Sequence, residues 1–196
     1  MSEKLDQLEA EARENHVPVM QKAGMEFLKE YLREHPGIMR ILEAGTAVGW
    51  SAMEMASVRE NITIDTLEID PQMAEQARKN IAEAGLSDRI FVHETDAAYY
   101  STAKYYDLFF VDAAKSQYRR YVRHFLPFSY VGSVFIFDNL NFHGIVDNPS
   151  LSANRSTVQM AAKILAFREW LLANDMFETE FLPDTGDGVA VAVRVK

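Results

Sequence analysis

The segment from Tyr105 to Tyr118, YYDLFFVDAAKSQY, constrains this chain more than any other. Its run Leu108-Phe109-Phe110-Val111 is apolar at every residue and β-favouring, so it reads as a short strand buried on both faces. The strand breaks at Asp112 into small residues, with Lys115 three positions on. A strand buried on both faces needs helices on either side. An acid at its end belongs at the carboxyl edge of an open α/β sheet, where such sheets hold their ligands.

The rest of the chain supplies those neighbours. Residues 3–14 read as an acidic helix. Residues 18–33 read as an amphipathic helix with Met20, Met25, Phe27, Leu28 and Tyr31 apolar, Pro18 near its start and His35-Pro36-Gly37 as its stop. Strands at 38–42, 62–69, 90–93, 107–111 and 130–137 then alternate with helices at 50–58, 71–84 and 118–126. A polar loop, 143–154, leads into a helix reaching residue 172, with Asn154 as N-cap. Two last strands, 177–182 and 188–195, flank the hairpin signal Pro183-Asp184-Thr185-Gly186-Asp187-Gly188. This order predicts a single α/β domain over 1–196. Its sheet is doubly wound, seven-stranded and mostly parallel, with a C-terminal antiparallel hairpin, and residues 1–35 form a helical cap outside the alternation.

Composition removes several functions. There is no cysteine, hence no disulfide and no thiolate metal site. No run approaches the roughly 20 apolar residues of a membrane span. The polar start MSEKLDQLEAEARENH does not read as a signal peptide, so the expected compartment is the cytoplasm. With 29 acidic against 20 basic side chains the net charge is −9, which argues against non-specific nucleic-acid binding but leaves room for a local basic patch.

Three stretches point to a nucleoside. ILEAGTAVGWS, residues 41–51, is a strand, a glycine turn and a helix start, and Gly45 and Gly49 let the backbone approach a ligand. By itself that spacing serves a tight structural turn equally well, and Ala47 departs from the G-x-G-x-x-G dinucleotide fingerprint. Next, TLEID places Glu68 where a carboxylate can take a ribose hydroxyl pair, while Asp70 before Pro71 reads as a helix cap. Thr95-Asp96-Ala97 then puts an acid where it can meet an adenine amino group.

The chemistry lies at the fourth and fifth strands. Asp112 ends one, and Asp138-Asn139 ends the other in VFIFDN. Adjacent parallel strands lie about 4.8 Å apart, so two carboxylates and an amide can converge on Mg²⁺ or a similar hard cation. Taken singly, each also serves as a cap for the next helix or loop. Lys115 reads as counter-charge, as a base, or as a solvated lysine; its place against a helix dipole favours a functional role.

The ordered motifs LEAGTAVGWSA, TLEID, TDA, VDAAKSQY and FDN resemble the cation-dependent S-adenosylmethionine O-methyltransferases, the superfamily of catechol and caffeoyl-CoA O-methyltransferases. Asn15-His16-Val17-Pro18-Val19-Met20, DAAK-x-QY and LPDTGDGVAVAV are most similar to the bacterial tRNA 5-hydroxyuridine methyltransferase branch. The resemblance implies a Rossmann-like class I methyltransferase fold. It places Met20, Glu43, Gly45, Ser51, Glu68, Asp96, Ala97 and Asp112 at S-adenosylmethionine, with Glu68 on the ribose, Asp96-Ala97 beside the adenine, and Ser51 and Met20 near the methionine end. Asp112, Asp138 and Asn139 become Mg²⁺ ligands, and Lys115 with Asp112 the catalytic pair. Ala44, Trp50, Thr95, Ser116 and Asn141 depart from the family pattern, and Asn141, close to the metal, bears on substrate contacts.

A chelating metal favours an acceptor with two neighbouring oxygens, which both catechols and 5-hydroxyuridine possess. Arg119, Arg120, Arg123 and His124, with Arg155, Lys163 and Arg168, offer contacts for the phosphates of a tRNA anticodon loop. Arg119 and Arg123 read equally as an i,i+4 pair on a solvated helix face. The expected function is therefore methylation of 5-hydroxyuridine in tRNA to 5-methoxyuridine. The alternatives are a small catechol or phenolic acceptor, or a nucleoside-binding module without turnover. The glycine pattern speaks against a dehydrogenase, and the family's N-terminal segments imply a homodimer.

Overall fold

The computed structural model describes residues 2–196; Met1, the first residue of the expected cap, lies outside them. Strands β1 (Arg40–Ala44), β2 (Thr63–Glu68), β3 (Ile90–Glu94), β4 (Leu108–Val111), β5 (Val134–Phe137), β6 (Phe177–Leu182) and β7 (Val189–Arg194) form one seven-stranded sheet. Their order is β3-β2-β1-β4-β5-β7-β6, parallel from β3 through β5, with β7 antiparallel to both its neighbours. The order reverses between β1 and β4, and that is where such a sheet opens a crevice at its carboxyl edge.

Among the described residues six α-helices accompany the sheet: α1 (Ser2–Glu14), α2 (Lys22–Glu34), α3 (Trp50–Ser57), α4 (Pro71–Glu83), α5 (Tyr118–Phe125) and α6 (Arg155–Leu172). Because strand side chains alternate, consecutive apolar residues feed opposite faces. Ile41, Ile64, Phe110 and Ile136 pack with Leu28, Met53 and Ile81 of α2, α3 and α4. Leu42, Phe109, Phe135 and Phe137 pack with Phe125, Ile164 and Phe167 of α5 and α6. Phe109 and Phe135, paired in register across β4 and β5, stack with centroids 4.3 Å apart. The two strands that carry the candidate acids are thus fixed by burial on both sides. Local capping matches the sequence reading: Asp70 Oδ1 accepts from the Gln72 and Met73 N–H groups, and Asn154 Oδ1 from that of Ser156.

Three elements shift by two residues or more. Helix α2 starts at Lys22 rather than near Pro18. His16 turns left-handed at φ 56, and Pro18 biases Val17 away from helical geometry. The result is an extended strap, residues 17–21, that buries Met20. Strand β1 runs to Ala44 and includes Glu43, where the sequence reading ended it at Leu42, because that carboxylate is paired inside the fold. Strand β5 begins at Val134 rather than Tyr130: Gly132 at φ 101 and a Ser133 N–H to Tyr130 O bond of 2.9 Å make a turn first.

One buried carboxylate ties the outer strands together. Asp65 on β2 is bonded by His93 Nε2 at 2.7 Å, Lys104 Nζ at 2.8 Å and Tyr106 Oη at 2.9 Å. Burial pushes its carboxyl up, but these three partners outweigh that and hold it below the usual range. A depressed folded-state value contributes stability above the unfolded pKa, about 4, and that contribution disappears as pH falls through the folded value. Asp65→Asn should therefore lower unfolding free energy by about 2 kcal/mol at pH 7. Denaturant titrations from pH 7 down to 3 should show the gap from the parent chain closing.

Candidate active site

The turn after β1 sets the close approaches. Gly45 has φ 104, and a Cβ there would run into the carbonyl oxygen of Asp112 at the end of β4. The position therefore requires glycine for space as well as for conformation. Gly49, at φ 84, caps the N-terminus of α3. Between them Ala47, at φ 46, donates its N–H to Glu68 Oε2 at 2.8 Å, while Asp70 N–H reaches Glu68 Oε1 at 2.9 Å. Glu68 is thereby held at the carboxyl end of β2.

A cavity of about 1090 Å³ lies over this edge. Met20, Gly45, Ser51, Glu68, Asp96 and Ala97 are on its wall, together with Asp112, Lys115 and Asn139. The strap from Val17 to Gln21 contributes to the same wall, and its backbone is pinned where Arg13 Nη2 donates to Met20 O at 3.1 Å. The volume is at the top of the range for small-molecule pockets, roughly 300–1,000 Å³, which is room for a nucleoside cofactor and an acceptor side by side.

Glu43 stands behind that wall rather than on it. It is fully buried, and its oxygens accept from Ser51 Oγ and Thr66 Oγ1, each at 2.5 Å. Burial, with the nearby charges of Asp112 and Glu68, pushes it to about 7 despite both bonds. The residue expected at the cofactor instead positions Ser51, which does line the cavity.

At the ends of β4 and β5, Asp112 and Asn139 meet at Lys115 on the cavity wall, and Asp138 lies buried behind it. Lys115 Nζ donates to Asn139 Oδ1 at 2.8 Å and lies 3.6 Å from Asp112 Oδ1. Asp138 is 1 % exposed, and among the described residues neither of its carboxylate oxygens has a hydrogen-bond partner. Burial raises Asp138 well above the usual carboxylate range, and the charge of Asp112 adds to it. Burial likewise raises Asp112, against the pull of Lys115. Two crowded carboxylates, one of them buried and unpaired, beside an amide oxygen form a donor set that suits a hard divalent cation. Among the described residues no group of three or more His, Asp or Glu forms a further cage. The set that fits is two carboxylates and an amide.

The expected basic contacts do not line the cavity. Among the described residues its wall takes Arg13 and Lys115, not Arg119, Arg120, Arg123, Arg155 or Lys163. Arg119 lies 4.8 Å over Trp170 and Arg120 5.1 Å over the exposed ring of Tyr99. Arg168 is paired with Asp147 at 2.5 Å and covers Phe181. Asn141 also turns away: its Nδ2 donates to Pro183 O at 2.6 Å, so the departure from the family pattern is a structural stitch. Several wall features escaped the sequence reading. His143 on the cavity wall was read only as part of a polar loop. The strap was read as helix, and Asp187 only as part of a hairpin turn.

The family model described as O-methyltransferase matches residues 1–195. The chain belongs to the O-methyltransferase family. This O-methyltransferase is similar to a catechol O-methyltransferase of Niastella koreensis, 32% identical over 164 residues, spanning 78% of this chain and 72% of that one. A Staphylococcus aureus structure provisionally named a caffeoyl-CoA O-methyltransferase superposes with a TM-score of 0.91 at 29% identity, over 97% of this chain and 91% of that one. A Bacillus cereus O-methyltransferase solved with S-adenosylhomocysteine gives 0.81 at 25% identity, over 98% and 90%. The reaction is S-adenosylmethionine-dependent methyl transfer to oxygen, and the cavity over β1, β2 and β4 has room for that cofactor. Gly45→Ala should destabilise the fold by about 3 kcal/mol. It should also weaken S-adenosylmethionine binding more than tenfold, read by thermal unfolding and calorimetric titration.

Proposed function

We propose that this O-methyltransferase acts on the 5-hydroxyl of 5-hydroxyuridine in tRNA, with Asp112, Asp138 and Asn139 holding a Mg²⁺ ion. The observation that carries the metal-dependent chemistry is the buried Asp138 carboxylate left without a hydrogen bond beside Asp112, Asn139 and Lys115. A cation bound there would lower the pKa of the acceptor hydroxyl and fix two neighbouring oxygens, which are separate contributions to rate.

The chain's own residues do the rest. Glu68, steadied by two backbone N–H groups, takes the ribose hydroxyls of the cofactor, and Asp96-Ala97 sit beside its adenine. Ser51, braced by Glu43, faces the methionine end with Met20. The strap and the loop after β5 keep water from the reacting atoms. Lys115 Nζ is the group placed to take the hydroxyl proton as the methyl passes from sulfur to oxygen.

Support for an RNA acceptor is the set of exposed cations on α5 and α6: Arg119, Arg120 and Arg123, with Arg155 and Lys163. The branch motifs NHVPVM and LPDTGDGVAVAV add to it. A second reading, a small catechol or caffeoyl-CoA-like phenol, draws on the names of the relatives. We also infer a homodimer built through the N-terminal helices, for which sedimentation at micromolar concentration should give twice the mass of the chain.

With Mg²⁺ and labelled S-adenosylmethionine, tRNA from a strain lacking the modification should acquire label in its hydroxyuridine nucleoside. Label on catechol with none on tRNA would overturn the acceptor. Chelation with EDTA should abolish turnover, and added Mg²⁺ restore it. Lys115→Ala should lower kcat at least about 100-fold with cofactor affinity retained; unchanged turnover would remove Lys115 from proton transfer.

A further inference from the structure

The turn between β6 and β7 is sewn to the loop that follows β5. Leu140 N–H donates to Gly188 O at 2.9 Å, Asn141 N–H to Asp187 O at 2.8 Å, and Asn141 Nδ2 to Pro183 O at 2.6 Å. Gly188 has no room for a side chain, since a Cβ there would lie 2.6 Å from Asn141 Cγ. At the centre of this seam is Asp187, only 6% exposed. Its Oδ1 accepts the His143 N–H at 2.7 Å, and its Oδ2 lies 3.4 Å from Asn139 Nδ2 and 3.5 Å from His143 Nδ1. One buried carboxylate therefore steadies both the amide of the cation set and an imidazole.

The loop so held is strained. Asn139, Phe142 and His143 have φ values of 59, 48 and 56. Left-handed non-glycine residues persist only where their surroundings over-determine them, and they gather at ligand clamps. The His143 side chain is 70% exposed and lies on the cavity wall. The Nδ1 edge of the ring faces the Asp187 carboxylate, which leaves Nε2 on the opposite edge. A second group that orients an imidazole through one nitrogen leaves the other aimed for work.

We propose that Asp187 and His143 form an acceptor-recognition pair. Asp187 orients the ring, and Nε2 accepts a hydrogen bond from an N–H or O–H donor of the acceptor beside its reacting hydroxyl. The assignment rests on the acceptor occupying the β5 side of the cavity, as in the proposed function. In 5-hydroxyuridine the donor is the imide N–H next to the 4-carbonyl; in a catechol it is a phenolic hydroxyl. Asp187 acts through His143 and is a positioning residue.

The test uses the full chain with Mg²⁺ and S-adenosylmethionine on two acceptors: a synthetic anticodon stem–loop bearing one 5-hydroxyuridine, and catechol. Turnover of the stem–loop by the parent chain decides the tRNA reading alone. The variants are then compared on whichever acceptor the parent methylates. His143→Ala should raise the acceptor KM about tenfold, the worth of one hydrogen bond, with kcat within about twofold and the KM for S-adenosylmethionine unchanged. His143→Gln, whose side-chain amide reaches the place of Nε2, should recover most of the loss. Asp187→Asn should raise the same KM and add little to His143→Ala in the double variant. If Asp187→Asn fails to fold, the two His143 variants decide. An unchanged acceptor KM in His143→Ala, or a fall in kcat at unchanged KM, overturns the pair. A parent chain active on neither acceptor overturns both the pair and the proposed function.

Discussion

Two carboxylates brought to the ends of adjacent buried strands repel each other, and the site is arranged around that repulsion. Burying an unpaired carboxylate is costly, and burying two side by side is worse. The aromatic packing of Phe109 against Phe135 holds β4 and β5 in register and leaves Asp112 and Asp138 no freedom to separate. Lys115 meets part of the need through Asn139 and Asp112, yet the Asp138 oxygens stay unpaired among the described residues. A folded core this apolar at β4 and β5 is what makes such an electrostatically unfavourable edge tolerable.

The cofactor side obeys a different logic. Gly45 is pressed against the backbone at Asp112, Glu68 is gripped by two N–H groups, and Ser51 is braced by a carboxylate with no exposure at all. Each side chain is preset before any ligand arrives, so binding does not have to order it. Accurate placement there comes from backbone geometry and buried hydrogen bonds more than from charge.

How much of this the chain discloses locally depends on the range of the interaction involved. Strands β4 and β5 are legible because burial on both faces demands apolar residues throughout, and Asp70 and Asn154 because a cap is settled within three residues. Gly45 and Gly49 announce a turn by type and spacing. The strap is not legible, since Val17, Val19 and Met20 continue the apolar pattern of α2 and only Pro18 hints at a break. Nor is the place of Glu43, whose partners Ser51 and Thr66 come from other elements. Asp187 meets His143 across 44 positions, and Arg168 meets Asp147 across 21, distances over which local pattern carries no information.

Strand β7 wedges itself antiparallel between β5 and β6. The wall residues proposed for the cofactor follow β1, β2 and β3, whereas Asn139, His143 and Asp187 belong to segments around β5, β6 and β7. Only β4, through Asp112, is shared. Exposed positions of the hairpin and its stitched loop, away from the buried seam and from Asn139, would reach the proposed acceptor side while the half proposed for the cofactor stays untouched. Positions that face the acceptor and positions that face the cofactor thus lie on separable parts of one sheet edge.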